Sequence, residues 1–286
     1  KISNQYINKD NDNGFFVPIV GYCNHKGYDD ILVPNYADWR LANPKKFFPS
    51  SCSDSAQDYE LLKENSTNIN WNNKTNGIVF RGSATGCGID AKTNKRIAAA
   101  ELAKSKGYTI YTKIDKEQKE FELNVKLTGC NFRDKVYGRE NDKALVGRYD
   151  KIACERVSEK KRMTTEQQMK YKYILHIDGH VAAYRLGREL GYNSCILKMN
   201  GYEDYKVWFS NHLVPLNLDA EVAGDANYIP VNIDVDNENL FLTQIQEIVT
   251  KNNRSKFVAE NSRKLFVDIM NEEYMKDTRR TVSINL

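Results

Sequence analysis

The six cysteines (Cys23, Cys52, Cys87, Cys130, Cys154 and Cys195) contain no CxxC pair. That spacing sets aside the common zinc frameworks, and free thiols in a reducing compartment are the simpler reading. No apolar run approaches the roughly 20 residues of a bilayer span. An excess of either charge is lacking as well. The formal balance of +4 is too small to argue for nucleic acid, although it suits phosphate-bearing ligands. There is no Walker loop, GxGxxG fingerprint, nucleophile elbow, HExxH pair or internal repeat. Lys1 to Gln5 does not read as a signal peptide, nor Ser283 to Leu286 as a retention signal, so the expectation is a cytoplasmic protein.

What remains is an ordinary globular composition over 286 residues, enough for one large domain or two modest ones. Phe15 to Gly21 is a strand candidate, Gln57 to Glu64 a helical stretch, and the Asn-rich connector around Trp71 a boundary. From Gly77 onward strands alternate with helices. Gly77 to Phe80, Phe121 to Leu127, Tyr173 to Ile177, Ser194 to Met199 and Asn227 to Val231 read as strands. Lys92 to Lys106, Glu203 to Asn211, Leu240 to Lys251 and Ser255 to Met275 read as helices, with Thr164 or Thr165 capping a short one. The alternation predicts an α/β layered domain with a mostly parallel sheet.

Two strand–loop–helix units stand out. In the first, Tyr173 to Ile177 breaks at Asp178-Gly179, and helix-compatible residues follow from Val181, placing Arg185 one turn inside a helix. Free amides and the dipole of such a helix attract anions. In the second, Gly77 to Phe80 runs into the small-residue loop Arg81 to Gly88, with hydroxyls at Ser83 and Thr85 and guanidinium groups at Arg81 and Arg96. Ligands of such sheets bind beyond the carboxyl ends of the strands. The bland reading of either unit alone is an ordinary connection. His176, Asp178 and His180 alternate and could hold a metal if the strand continued, but Gly179 argues that it stops.

The segments Phe80 to Ser83, Lys170 to Tyr173 with Gly179 to Arg185, and Tyr228 to Val231 occur in this order, with Tyr28 to Pro34 upstream. Together they resemble the Rumi-type protein O-glucosyltransferases and the fungal capsule-associated xylosyltransferases, over about residues 15 to 275. The resemblance implies a GT-B-like α/β fold of two Rossmann-like halves, with a mostly parallel sheet in the C-terminal half. Residues 1–70 would form a short acceptor-side half, 71–265 the nucleotide-sugar domain, and 266–286 a tail returning to the first half. It further implies a UDP-sugar donor, xylose or glucose, with no metal or other cofactor. The partners would be a glycan or glycoprotein acceptor, with no nucleic acid and no membrane span. Arg81, Gly82, Ser83, Thr85, Arg96 and Arg185 would meet the diphosphate, with Asp178, Gly179, His180, Val181, Ala182, Ala183 and Tyr184 close by. Transfer would invert the anomeric carbon, an Asp acting as base. The family's base belongs to an Arg-Asp motif upstream of the segment matching Phe15 to Gly21. The first fourteen residues contain no Arg-Asp: either the family's base lies upstream of Lys1, or another acid serves, with Asp30 ahead of Asp10 and Asp12. The rival readings are a catalytically inactive UDP-sugar or glycan-binding module, which that departure favours, and a metal-dependent enzyme built on His176, Asp178 and His180.

Overall fold

The computed structural model describes residues 19–25, 28, 30–43, 61–62, 69–86, 88–114, 117–130, 132–141, 143–159, 162–199, 205–220, 222–234 and 237–284. Three two-residue strands come first: β1 (Val20–Gly21), β2 (Cys23–Asn24) and β3 (Ile31–Leu32). Helix α1 (Tyr36–Ala42) follows, capped by the Asn35 side chain. Then come β4 (Thr75–Ser83), α2 (Lys95–Ser105), β5 (Thr109–Ile114) and β6 (Glu117–Gly129). The stretch Lys135 to Lys161, unreadable by periodicity, contains a hairpin of β7 (Lys135–Glu140) and β8 (Lys143–Gly147), then α3 (Lys151–Arg156). Beyond it are α4 (Thr165–Met169), β9 (Tyr171–Ile177), α5 (Leu186–Leu190), β10 (Cys195–Met199), β11 (Lys206–Val207) and β12 (Ile229–Val231). Three helices close the chain: α6 (Glu238–Thr250), α7 (Asn252–Ile269) and α8 (Glu272–Ile284).

The fold is α/β. One six-stranded sheet has the order β12-β10-β9-β4-β6-β5. Five of its strands are parallel, and β5 lies antiparallel on the β6 edge. Strand β9 is buried along its whole length, as a central strand covered on both faces must be. Its side chains alternate between two cores. Tyr173, Leu175 and Ile177 join Ile78, Phe80 and the apolar stripes of α2, α6 and α7. Ile174 joins Val79, Leu186, Phe209, Phe266 and Met275 on the other face. Each large apolar side chain buried in this way is worth about 1.5–3 kcal/mol relative to exposure.

Several boundaries moved for local reasons. The long final helix is two, because Met270 and Asn271 break it and Asn271 Oδ1 accepts from the Tyr274 amide to start α8. The helix expected over Glu203 to Asn211 is absent among its described residues. There β11 pairs with β2, a 3-10 turn spans Ser210–His212, and Ser210 Oγ takes the Val207 amide. Cys130 and Cys154 are joined in a disulfide, which overturns the free-thiol reading for that pair. Most of the strand expected over Phe15 to Gly21 and of the helix over Gln57 to Glu64, together with Asp10, Asp12 and Cys87, lies outside the described residues. What is described of residues 1–70 packs on the second core face, where α1 supplies Leu41 and Ala42 and touches α8.

Candidate functional site

The chain leaves β4 toward α2, β5 and β6 on one side of it, and leaves β9 toward α5 and β10 on the other. The gap between the carboxyl ends of β4 and β9 is therefore the switch point of the sheet, where such folds hold ligands. Both candidate loops open there and touch. A Cβ on Gly179 would stand 2.9 Å from Thr85 Oγ1 and 3.3 Å from Arg96 Nη2. Only a glycine lets the two loops approach this closely.

Arg96 is the tie between them. Asn94 caps α2 and sets the first turn, so the side chain of Arg96 reaches back over the sheet edge. Its Nε donates to Asp178 O (3.0 Å), Nη1 to Ser83 O (2.9 Å) and Thr85 Oγ1 (2.6 Å), and Nη2 to Ile177 O (2.8 Å). Burial, with help from neighbouring Arg185, pulls its pKa down to about 9. Arg185 donates through Nη1 to Arg81 O (2.8 Å) and pairs through Nε with Glu189 Oε1 at 2.9 Å. Both guanidinium groups lie over the Phe80 ring, at 4.8 Å for Arg185 and 5.8 Å for Arg96. Gly82 lies directly beneath Arg185.

The loop after β9 is not helical. Asp178 Oδ1 accepts from the Ala183 amide and Gly179 N donates to Val181 O, so the backbone is committed to a turn. Helix α5 begins only at Leu186 and has five residues, with Arg185 at the position before it. The dipole argument for Arg185 falls, and its charge and fork of donors remain. Ala182 is buried, while His180 and Val181 are exposed. The His180 carbonyl accepts from Tyr205 Oη, and burial together with Lys135, Arg96 and Arg133 holds its ring below the ordinary histidine value. Tyr184 meets Tyr22 and Tyr36 edge-on, and burial raises its hydroxyl to about 12.

Arg81 points elsewhere. Along β4 the side chains alternate. Phe80 and Gly82 face the two arginines, so Arg81 turns to the opposite face, where it bonds Asn124 and Glu159. Its guanidinium does not join those of Arg96 and Arg185; its carbonyl does. Asp30 lies beside Gly21 and offers its carbonyl to Asn24. Among the described residues it makes no hydrogen bond to either loop. His176 is occupied by Glu189 and Asp178, and among the described residues no group of three or more His, Cys, Asp or Glu is placed to hold a metal.

Residues 2–277 match the model of glycosyl transferase family 90. The chain belongs to that family. The family 90 chain is also similar to large viral proteins. It is 28% identical over 299 residues to "Uncharacterized protein 179R" of Invertebrate iridescent virus 6, covering 94% of this chain and 23% of that one. It is 27% identical over 269 residues to "Uncharacterized protein 035R" of Invertebrate iridescent virus 3, covering 92% and 20%. The chain thus spans about a fifth to a quarter of the length of these curated relatives. Among the described residues no helix is long and apolar enough to cross a membrane.

Sequence reasoning missed two buried groups near the site. Glu189 holds both His176 and Arg185. Asp38 accepts from Trp208 Nε1 (2.8 Å) and Asn35 Nδ2 (2.6 Å), and burial, opposed by those two bonds, raises its pKa to about 7. An acid next to a Trp, in a stretch (Asn35 to Ser55) whose prolines and small polar residues suggest irregular structure, carries no signal of burial; the structure has a helix there over Tyr36–Ala42. Glu189, i+4 from Arg185, reads as an ordinary helical ion pair.

Proposed function

We propose that the crevice between β4 and β9 holds the diphosphate of a UDP-sugar, and that the protein transfers xylose or glucose from it, with inversion, to a hydroxyl of a glycan or protein acceptor. One observation carries this reading: Arg96 and Arg185 converge over Phe80 at the switch point, with Thr85 and the Gly179 turn between them. Arg96 is held by three backbone oxygens and the Thr85 hydroxyl and fixes the floor. Arg185 supplies the charge that grows in value as UDP departs. In this reading the arginines do the work of a divalent cation, so none is required.

The test is calorimetric titration of UDP into wild type, Arg185→Ala and Arg185→Lys, followed by UDP release over a panel of sugar acceptors with and without EDTA. Loss of a contact of this type costs on the order of 3 kcal/mol, about a hundredfold in rate. Lys should recover little because it lacks the fork. Equal UDP dissociation constants in all three proteins would sink the assignment. A second reading is an inactive UDP-sugar-binding module, supported by Asp30 making no hydrogen bond to either loop among the described residues. Tight UDP binding without release on any acceptor would select it.

A further inference from the structure

His176 sits in the middle of a buried file of four ionisable side chains. It leaves β9 on the face toward α5, with 1% of its side chain exposed. Its Nδ1 lies 2.5 Å from Glu189 Oε2 and its Nε2 3.4 Å from Asp178 Oδ1. The second oxygen of Glu189 pairs with Arg185 Nε at 2.9 Å, and Glu189 is itself 3% exposed at the side chain. At the other end, the Asp178 oxygen nearest His176 is the one that takes the Ala183 amide and shapes the turn. The file therefore runs from the Gly179 turn to the Arg185 guanidinium through one imidazole ring.

With the ring charged the four groups sum to zero, and with it neutral the four alone sum to one negative charge. The other charges facing the file are Arg188 on α5, Lys198 beside His176 on β10, Arg96 on α2 and Asp38 on α1 against Gly187. We propose that His176 is a positioning residue for the diphosphate site, setting Arg185 through Glu189 and the turn after β9 through Asp178. This rests on the diphosphate reading above. Burial works against a charged ring, but Glu189 and Asp178 outweigh it and raise the His176 pKa, while the Asp178 carboxyl, despite its own burial, is held down at about 2 by His176 and the Ala183 amide.

The experiment is nitrogen NMR of the histidine rings and the Arg185 Nε–H in wild type, paired with UDP titrations of wild type and His176→Gln from pH 6 to pH 9. Both His176 nitrogens should be protonated at pH 7, and the Arg185 Nε–H signal should move with the same midpoint as the ring. His176→Gln should bind UDP about tenfold more weakly at pH 6.5, the value of a hydrogen bond between charged groups. That gap should close as pH rises through the raised His176 pKa, because the wild-type ring then loses the charge the variant never had. A wild type that binds no UDP overturns the diphosphate reading and this inference with it. A wild type that binds, with a variant of equal affinity at every pH, overturns the inference alone. If His176→Gln does not fold, the NMR decides: a neutral ring at pH 7, or an Arg185 signal indifferent to it, sinks the proposal.

Discussion

Each end of the sheet buries a cation, and the two ends treat it in opposite ways. At the amino-terminal end Lys74, 4% exposed, gives its three protons to neutral oxygens: Met169 O at 2.5 Å, Ser194 Oγ at 2.9 Å and Tyr192 O at 3.1 Å. Every hydrogen is satisfied, yet desolvation drops the pKa to about 7, because carbonyl dipoles replace hydration only in part. At the carboxyl-terminal end Arg96 is held by backbone oxygens and pulled down in the same way, but Arg185 and His176 face Glu189 and Asp178, and His176 is pushed toward its charged form. Hydrogen-bond geometry holds a side chain in place, whereas an opposite charge is what keeps it ionised. The pairing of Arg185 and His176 with Glu189 and Asp178 is the second arrangement, and Lys74 has the first.

The largest expected effect breaks the comparison at the lower end. A lysine whose folded pKa is depressed leaves the unfolded chain binding more protons between about pH 7 and pH 10, so stability should rise with pH over that window. The shift from 10.5 to about 7 is worth on the order of 5 kcal/mol at about 1.4 kcal/mol per pK unit. Lys74→Met should remove that slope in urea melts run at pH 7, 8 and 9. An unchanged slope would mean that Lys74 is solvated in the folded protein.

Next comes the covalent tie at the upper end. Cys130 follows β6, whose Gly129 carbonyl takes the Ala84 amide of the first loop. The bond to Cys154 closes a loop of 24 residues, and chain-entropy arguments value such closure at about 3.5 kcal/mol. Cys130→Ala with Cys154→Ala should lower the unfolding free energy by that order, with reducing agent then having no further effect. The smallest effect is local and lies at the lower end. Thr164 and Gln167 form a reciprocal capping box that starts α4 just ahead of β9. Thr164→Ala should cost about 1 kcal/mol in the same urea melts and leave UDP affinity unchanged.

Much of the sheet could be read from the chain because it is local. The apolar run Tyr173 to Ile177, the alternation Phe121 to Leu127 and the cap before α4 each state their structure within a few residues. The meeting of the two loops was also legible, since two strand–loop–helix units in one parallel sheet must open on the same edge. What failed needed a partner from elsewhere. Arg81 was read as the first residue of a loop, when β4 runs on to Ser83 and alternation turns it away. Val181 to Arg185 looked helical because nothing in the sequence shows that Asp178 will spend its carboxylate on the Ala183 amide. Lys74 carries no sign of burial at all. Its three acceptors lie 95 to 120 residues away.

The packing of α1 against α5 binds two distant positions into a single heritable unit. Asp38 Oδ1 occupies the space into which any side chain at 187 would grow, with Met270 closing the remainder. A lineage cannot replace Gly187 while Asp38 keeps this pose, and a smaller residue at 38 would leave Trp208 Nε1 and Asn35 without their shared acceptor. The residue two positions after Arg185 is thereby tied to the N-terminal segment, whose Tyr22 and Tyr36 also meet Tyr184 in the loop after β9, so variation in that segment reaches the loop by two routes.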